Sequence, residues 1–184
     1  MKKILLIIIA LTFVLFSFSQ QTYVPDDQFE EFLELNGMGN GFINDDYVTT
    51  SNINNVTHLS VVLWNISDLT GIEDFSALVE LDCGDNQLTT IDLSQNINLQ
   101  ILKIYANQIT TLDLSQNIGL TFLNCEYNQL SSLDLSNNIG LTSLQCNNNQ
   151  ITSLDLSQNV FLSGLICSNN LLSSLDLRNI NNIN

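Results

Sequence analysis

From residue 78 onward, apolar residues return with a period of twenty-one. Leu78, Leu99, Leu120, Leu141 and Leu162 open successive copies. The first copy carries Leu78, Leu81, Cys83, Leu88, Ile91 and Leu93 at offsets that the third repeats as Leu120, Leu123, Cys125, Leu130, Leu133 and Leu135. A degenerate copy of twenty-two residues precedes them, from Val56 through Leu59, Val61, Ile66, Leu69 and Ile72 to Phe75, for six coils in total. One copy alone is too small to bury its apolar residues, whereas stacked copies bury them against one another in a continuous core. Alternation at Leu81-x-Cys83 and at Ile91-x-Leu93 predicts two short strand-like stretches per coil. Neighbouring coils then pair in parallel, about 4.8 Å apart.

A polar column accompanies the apolar ones. Asn86, Asn107, Asn128, Asn149 and Asn170 share one offset. An Asn amide both donates and accepts, so at a tight bend it can satisfy backbone groups of its own and adjacent coils. Leaving such groups buried and unpaired costs about 1–3 kcal/mol each. The column therefore reads as structural.

These residues carry a resemblance. Leu141-x-x-Leu144-x-Cys146-x-x-Asn149-x-Ile151-x-x-Leu154-Asp155-Leu156-x-x-Asn159 meets the pattern LxxLxCxxNxLxxLDLxxN at every fixed position, with Ile standing for one Leu. Residues 56–182 thus resemble the leucine-rich repeat family, and within it the bacterial twenty-one-residue class sometimes called the IRREKO type. The stretch Ile66-Ser67-Asp68-Leu69-Thr70-Gly71-Ile72 is similar to the first coil of internalin-like bacterial proteins. The resemblance implies a β-rich solenoid, an arc or horseshoe of short parallel strands, that binds proteins or glycans with its concave strand ribbon.

An open solenoid needs its end covered. Pro25 to Leu35 reads as a short helix within a cap spanning residues 20–55. Asp27 and Glu30 form a capping-box-like start, Asn36-Gly37 is a stop, and Phe29, Phe32 and Leu33 share one face. Residues 38–55 read as a polar, irregular loop leading into the first coil. At the other end, residues 183–184 begin a seventh copy, with Ile183 at its first offset. The expectation is that the natural product continues, with further repeats or the C-terminal sorting domain that relatives often carry.

Residues 1–19 read as a signal peptide. Lys2 and Lys3 precede an apolar run from Ile4 to Phe18, and Ser17-Phe18-Ser19 places small residues where a signal peptidase reads them. The run is short for a permanent membrane anchor. No Cys follows it, which disfavours a lipoprotein. Cleavage after Ser19 predicts a secreted or cell-surface chain without membrane insertion. Lys103 and Arg178 then remain against nineteen acidic residues, a formal charge near −17. Phosphate backbones repel such a chain, so nucleic acid is excluded as a partner.

Candidate chemistry is sparse, and no enzyme activity, cofactor or metal is expected. Cys83, Cys125, Cys146 and Cys167 are an even number in an exported chain, which invites disulfides. All four share one inward offset, where the second copy has Ile104, and cysteine there behaves as a small buried hydrophobe. Side chains on in-register parallel strands point the same way, which places free thiols ahead of disulfides and disulfides ahead of a metal site. His58, the single histidine, lacks any supporting nucleophile motif and reads as a surface residue. Asp92, Asp113, Asp134, Asp155 and Asp176 form a column whose mutual repulsion must be offset, by turn hydrogen bonds or by a bridging cation. The glycine-rich nonapeptide of calcium-binding β-rolls is absent, which favours the turn bonds.

The repeats also indicate a binding face. On the second stretch of each coil the pattern Thr/Ser-x-Leu-Asp-Leu-Ser returns almost unchanged. On the first, the outward position runs Asp82, Lys103, Asn124, Gln145, Ile166. A constant core under a varied surface is where a partner is read. The varied positions gather Lys103, Tyr105, Phe122, Asn124, Glu126 and Tyr127 into a candidate patch suited to protein anchors or sugar stacking. A monomer engaging a protein or glycan ligand is the expected form. A structural spacer displaying a downstream domain is the alternative.

Overall fold

The structure, a computed structural model, describes residues 19–180. The expected signal segment up to residue 18 and the seventh-copy residues 183–184 lie outside the described residues.

Six three-residue strands, one per coil, form a parallel sheet in sequence order: β3 (His58–Ser60), β4 (Glu80–Asp82), β5 (Ile101–Lys103), β6 (Phe122–Asn124), β7 (Ser143–Gln145) and β8 (Gly164–Ile166). The register places Leu59, Leu81, Leu102, Leu123, Leu144 and Leu165 side by side. These leucines point into the core, and the first five are buried. This is a leucine-rich repeat solenoid, as the period predicts.

The second stretch of each coil is different from its expectation. Ile91–Leu93 and its equivalents form no strand. Asp92 Oδ1 instead accepts the Ser94 N–H at 2.9 Å, and Asp113, Asp134 and Asp155 repeat that bond with Ser115, Ser136 and Ser157. A local side-chain acceptor competes with the ladder for the backbone donors and bends the chain into a turn. Neighbouring coils are joined here by a second asparagine column, the one that closes the repeat pattern at Asn159. Asn117 Nδ2 donates to Leu93 O at 3.1 Å and to Asn96 O at 3.0 Å, and Asn138 and Asn159 repeat the arrangement one coil on.

The first asparagine column works as expected. Asn107 Nδ2 is shared among Cys83 O, Ile104 O and Tyr105 O, while its Oδ1 accepts Leu88 N at 3.0 Å. Asn128 and Asn149 do the same in the coils that follow. The residue before each of these asparagines is left-handed, with φ between 50° and 56° at Asp85, Ala106, Tyr127, Asn148 and Asn169. That conformation costs a non-glycine residue about 1–2 kcal/mol, which the Asn bonds offset.

The cap holds more structure than its polar sequence suggests. Helix α1 (Asp27–Leu35) buries Phe29, Phe32 and Leu33. The Phe29 ring centre lies 6.3 Å from that of Phe75, and the Phe32 ring meets Trp64 edge-on at 5.2 Å, which docks the helix over the first coil. The N-cap is Asp26 rather than Asp27. Nor does Glu30 reach back to close a capping box: its carboxylate accepts the N–H groups of Asp45 and Asp46. The expected loop over 38–55 contains β2 (Tyr47–Thr49) and a one-turn helix, α2 (Thr50–Ile53). Strand β2 pairs antiparallel with β1 (Gln21–Tyr23), a partner too distant in sequence for local patterning to show.

Candidate functional site

Alternation along β3–β8 turns three columns of residues onto the concave face. The first runs His58, Glu80, Ile101, Phe122, Ser143, Gly164, and the second Ser60, Asp82, Lys103, Asn124, Gln145, Ile166. The third, two residues past each strand, includes Gly84, Tyr105, Glu126 and Asn147.

Five of the six candidate residues fall on these columns. Lys103, Tyr105, Phe122 and Glu126 are half-buried. Asn124, expected as an outward reading position, is buried. Its amide lies flat against its neighbour: Oδ1 accepts Glu126 N at 3.1 Å and Nδ2 donates to Glu126 Oε1 at 3.3 Å. Tyr127 stands off the strand face, at the left-handed bend beyond β6, with its ring exposed. It belongs to the rim of the concave surface.

Three residues that the candidate patch omitted shape it. Lys103 Nζ lies 2.7 Å from Glu80 Oε1 and 3.7 Å from Asp82 Oδ2. The hydrogen bond to Glu80 is the main reason its ammonium is held protonated above the usual lysine range. This ion pair forms one wall of a depression of about 290 Å³ that also takes in His58 and Ser60. Asn147 Nδ2 donates to Glu126 Oε2 at 2.9 Å, which extends the polar network one coil further. Asp82 was visible among the varied outward positions. Glu80 and Asn147 share the columns of Phe122 and Glu126, but their bonds to Lys103 and Glu126 emerged only from the register and the side-chain geometry.

Larger depressions, of about 390 and 340 Å³, follow the aspartate column on another flank, where Asp92 and Asp113 are set among Thr90, Thr111 and Ser94. The residues there repeat almost unchanged from coil to coil, so they offer a ligand little to distinguish one coil from the next. The aspartates titrate below the usual carboxylate range, chiefly because each accepts the backbone N–H two residues on. Among the described residues, Asp27, Glu30 and Asp46 bring carboxylate oxygens within 4.8 Å of one another. Burial pushes the Glu30 carboxyl up, and both its oxygens are taken by the N–H groups of Asp45 and Asp46.

The four cysteines are free thiols. Cys83, Cys125 and Cys146 are buried beneath the strand face, and Cys167 is half-buried in the last coil. Burial raises all four above the ordinary thiol range, Cys146 to about 12. His58 is exposed, with Nδ1 2.9 Å from Thr57 Oγ1.

No family model and no curated protein matches the chain. Solved structures do. The functional domain of InlJ from Listeria monocytogenes is 31% identical over 88% of this chain and 46% of its own, with a TM-score of 0.55. The internalin InlF of the same species is 27% identical over 77% of this chain and 42% of its own, with a TM-score of 0.70. The fold is that of a bacterial internalin-like leucine-rich repeat protein. A leucine-rich repeat protein of Leptospira interrogans shares the fold at 24% identity, over 62% of this chain and 32% of its own, with a TM-score of 0.57. This internalin-like chain spans somewhat under half the length of the two Listeria chains. The InlJ domain is described as including a cysteine ladder. Here Cys83, Cys125, Cys146 and Cys167 occupy one inward position of successive coils, interrupted at Ile104.

Proposed function

We propose that this internalin-like chain is a ligand-binding module that works outside the cell, engaging a protein or glycan with the concave face around β5 and β6. Leucine-rich repeat solenoids offer extended concave surfaces for binding. The observation that carries the reading is the contrast between faces. The inward positions and the aspartate flank repeat from coil to coil, while the concave columns change at each step. Around β5 and β6 they set the half-buried rings of Tyr105 and Phe122 beside the Lys103 ion pair and the Glu126 network, with Tyr127 on the rim. Rigid aromatic rings beside polar groups held in place suit a binding anchor. The apolar leader at residues 4–18 supports export.

The test is a parallel screen of the chain and its Tyr105→Ala/Phe122→Ala/Tyr127→Ala variant on a glycan array and on an array of extracellular proteins. A ligand that binds the parent and loses at least about tenfold affinity in the variant, about 1.4 kcal/mol, supports the reading, provided both unfold at the same temperature. A ligand held equally by both would move the site elsewhere. No ligand on either array would favour the spacer role.

A further inference from the structure

One apolar column does not face the core. Ile97, Ile118, Ile139 and Val160 occupy the same position in four successive coils, in the turn that leads into each concave strand, and are 48% to 65% exposed. Beside Val160, Phe161 is 66% exposed. Scattered exposed aliphatics are ordinary, but a contiguous row marks an interaction surface. Repetition by itself does not account for the row. The next position has changed in the same coils, from Asn98 through Gly119 and Gly140 to Phe161, while the aliphatic residue has stayed.

We propose that this stripe is a self-association surface on which two copies of the chain pair about a two-fold axis. Charge selects the occupant. The segments 94–100, 115–121, 136–142 and 157–163 contain no charged residue, in a chain of formal charge −15. In the four stripe coils the carboxylates lie on the concave face, at the bend beyond it and along the aspartate column. Glu73 and Asp74 occupy this flank only in the coil before Ile97, outside the stripe, so two strongly acidic copies can meet along it without bringing carboxylates together. The stripe is also self-complementary, as an isologous contact requires. It has four members and is bounded by Ser76 before it and, in the sequence, by Asn181 after it. An axis between Ile118 and Ile139 sets these two against each other across the interface and Ile97 against Val160. Gly119 and Gly140 flank the centre, where the copies approach most closely, and Phe161 lies at the end, over the partner's first stripe coil. Five exposed apolar side chains are far fewer than the roughly 20–30 residues a side of a standard interface. The pairing is therefore weak and depends on concentration. It leaves both concave faces open.

Sedimentation of the full chain from micromolar to about 0.5 mM, in about 0.15 M salt to screen the net charge, tests this. The expected result is a weight-average mass rising toward twice that of the chain. Ile118→Asp/Ile139→Asp should remain at single-chain mass throughout. The milder Ile118→Thr/Ile139→Thr should weaken association at least about tenfold. Both variants should unfold at the parent's midpoint, because the replaced side chains lie mostly in solvent. A parent that stays at single-chain mass at the highest concentration would overturn the proposal. So would a dimer that survives the aspartate substitutions, which would place the contact on another surface. A single-chain parent that instead co-sediments with phosphatidylcholine vesicles, and loses that binding on the aspartate substitutions, would assign the stripe to lipid and equally overturn pairing.

Discussion

The phenol ring of Tyr105 lies over the bare Cα of Gly84 in the preceding coil, so closely that a β-carbon at position 84 would overlap ring atoms Cε1 and Cζ. Burial, and then the nearby carboxylates of Asp82 and Asp85, push the phenol above its ordinary value. Gly84→Ala should therefore lift the ring off the coil. The Tyr105 phenol is then expected to titrate lower, nearer about 10, followed by NMR at its Cζ. Because the half-exposed ring can swing aside, the cost should fall below the about 1–3 kcal/mol of overpacking in a core, readable as a small shift in the urea midpoint. An unchanged Tyr105 titration would show that the ring does not rest on Gly84 in solution.

Asp26 joins the cap to the solenoid. One carboxylate oxygen accepts Gln28 N and Phe29 N at 3.1 Å, capping α1. The other accepts Ser67 N and Oγ at 2.8 Å and Asp68 N at 3.0 Å, in the first coil. Asp26→Ala removes a helix cap worth about 1 kcal/mol together with the bridge. It should cost more than Ser67→Ala, which removes a single bond. Hydrogen exchange should show α1 opening ahead of the coils in Asp26→Ala. Exchange as uniform as in the parent would mean that the ring contacts of Phe29 and Phe32 hold the cap unaided.

The thiols provide a direct test of the core. Only the thiolate attacks an alkylating reagent, and burial both raises the pKa and blocks access. With iodoacetamide near neutral pH, half-buried Cys167 should react first, while Cys83, Cys125 and Cys146 wait for unfolding. Mass spectrometry should count four modified thiols in urea without reductant. A count of two would mean that a disulfide forms in the natural environment.

Acid should weaken the aspartate turns together. The folded carboxyls of Asp92, Asp113, Asp134 and Asp155 titrate below their unfolded value because each accepts a backbone N–H, and Asp176 is drawn to about 2, first by the Arg178 guanidinium. Their stabilisation is therefore fully present above the ordinary carboxylate range. It is lost as pH falls through that range toward about 2. The urea midpoint, followed by circular dichroism, should fall steadily between about pH 5 and 2. Replacing Asp113 and Asp134 by Asn, which keeps the turn acceptor without the charge, should flatten the slope. An unchanged slope would place the acid sensitivity on other carboxylates.

Much of this molecule is readable from residue spacing. The inward row from Leu59 to Leu165, the parallel register and the asparagine column follow from a period of twenty-one, because identical coils can stack in one way only. The same logic misread Ile91–Leu93 as a strand. Apolar alternation was present, but Asp92 between the two apolar residues takes the next turn's N–H, a competition that a hydrophobicity pattern does not register. The cap resisted for another reason. Strands β1 and β2 are three residues each and paired across more than twenty positions, so neither shows alone. At the candidate site, Lys103, Phe122 and Tyr105 could be picked out by their variation, yet variation did not reveal that Asn124 is folded down onto Glu126.

The sequence by itself determined that this chain is an internalin-like solenoid and which residues of each coil point inward, because repetition leaves a single stacking register that buries the leucines. Only the tertiary structure decided what neighbouring coils do to one another's surface residues. It set Tyr105 onto Gly84, tied Lys103 to Glu80, bound Asp26 to Ser67, and left Ile97, Ile118, Ile139 and Val160 in solvent. Each is a contact between different coils or between the cap and a coil, or an exposure that such contacts fail to remove. Its energy depends on distances across the stack that spacing along the chain does not specify.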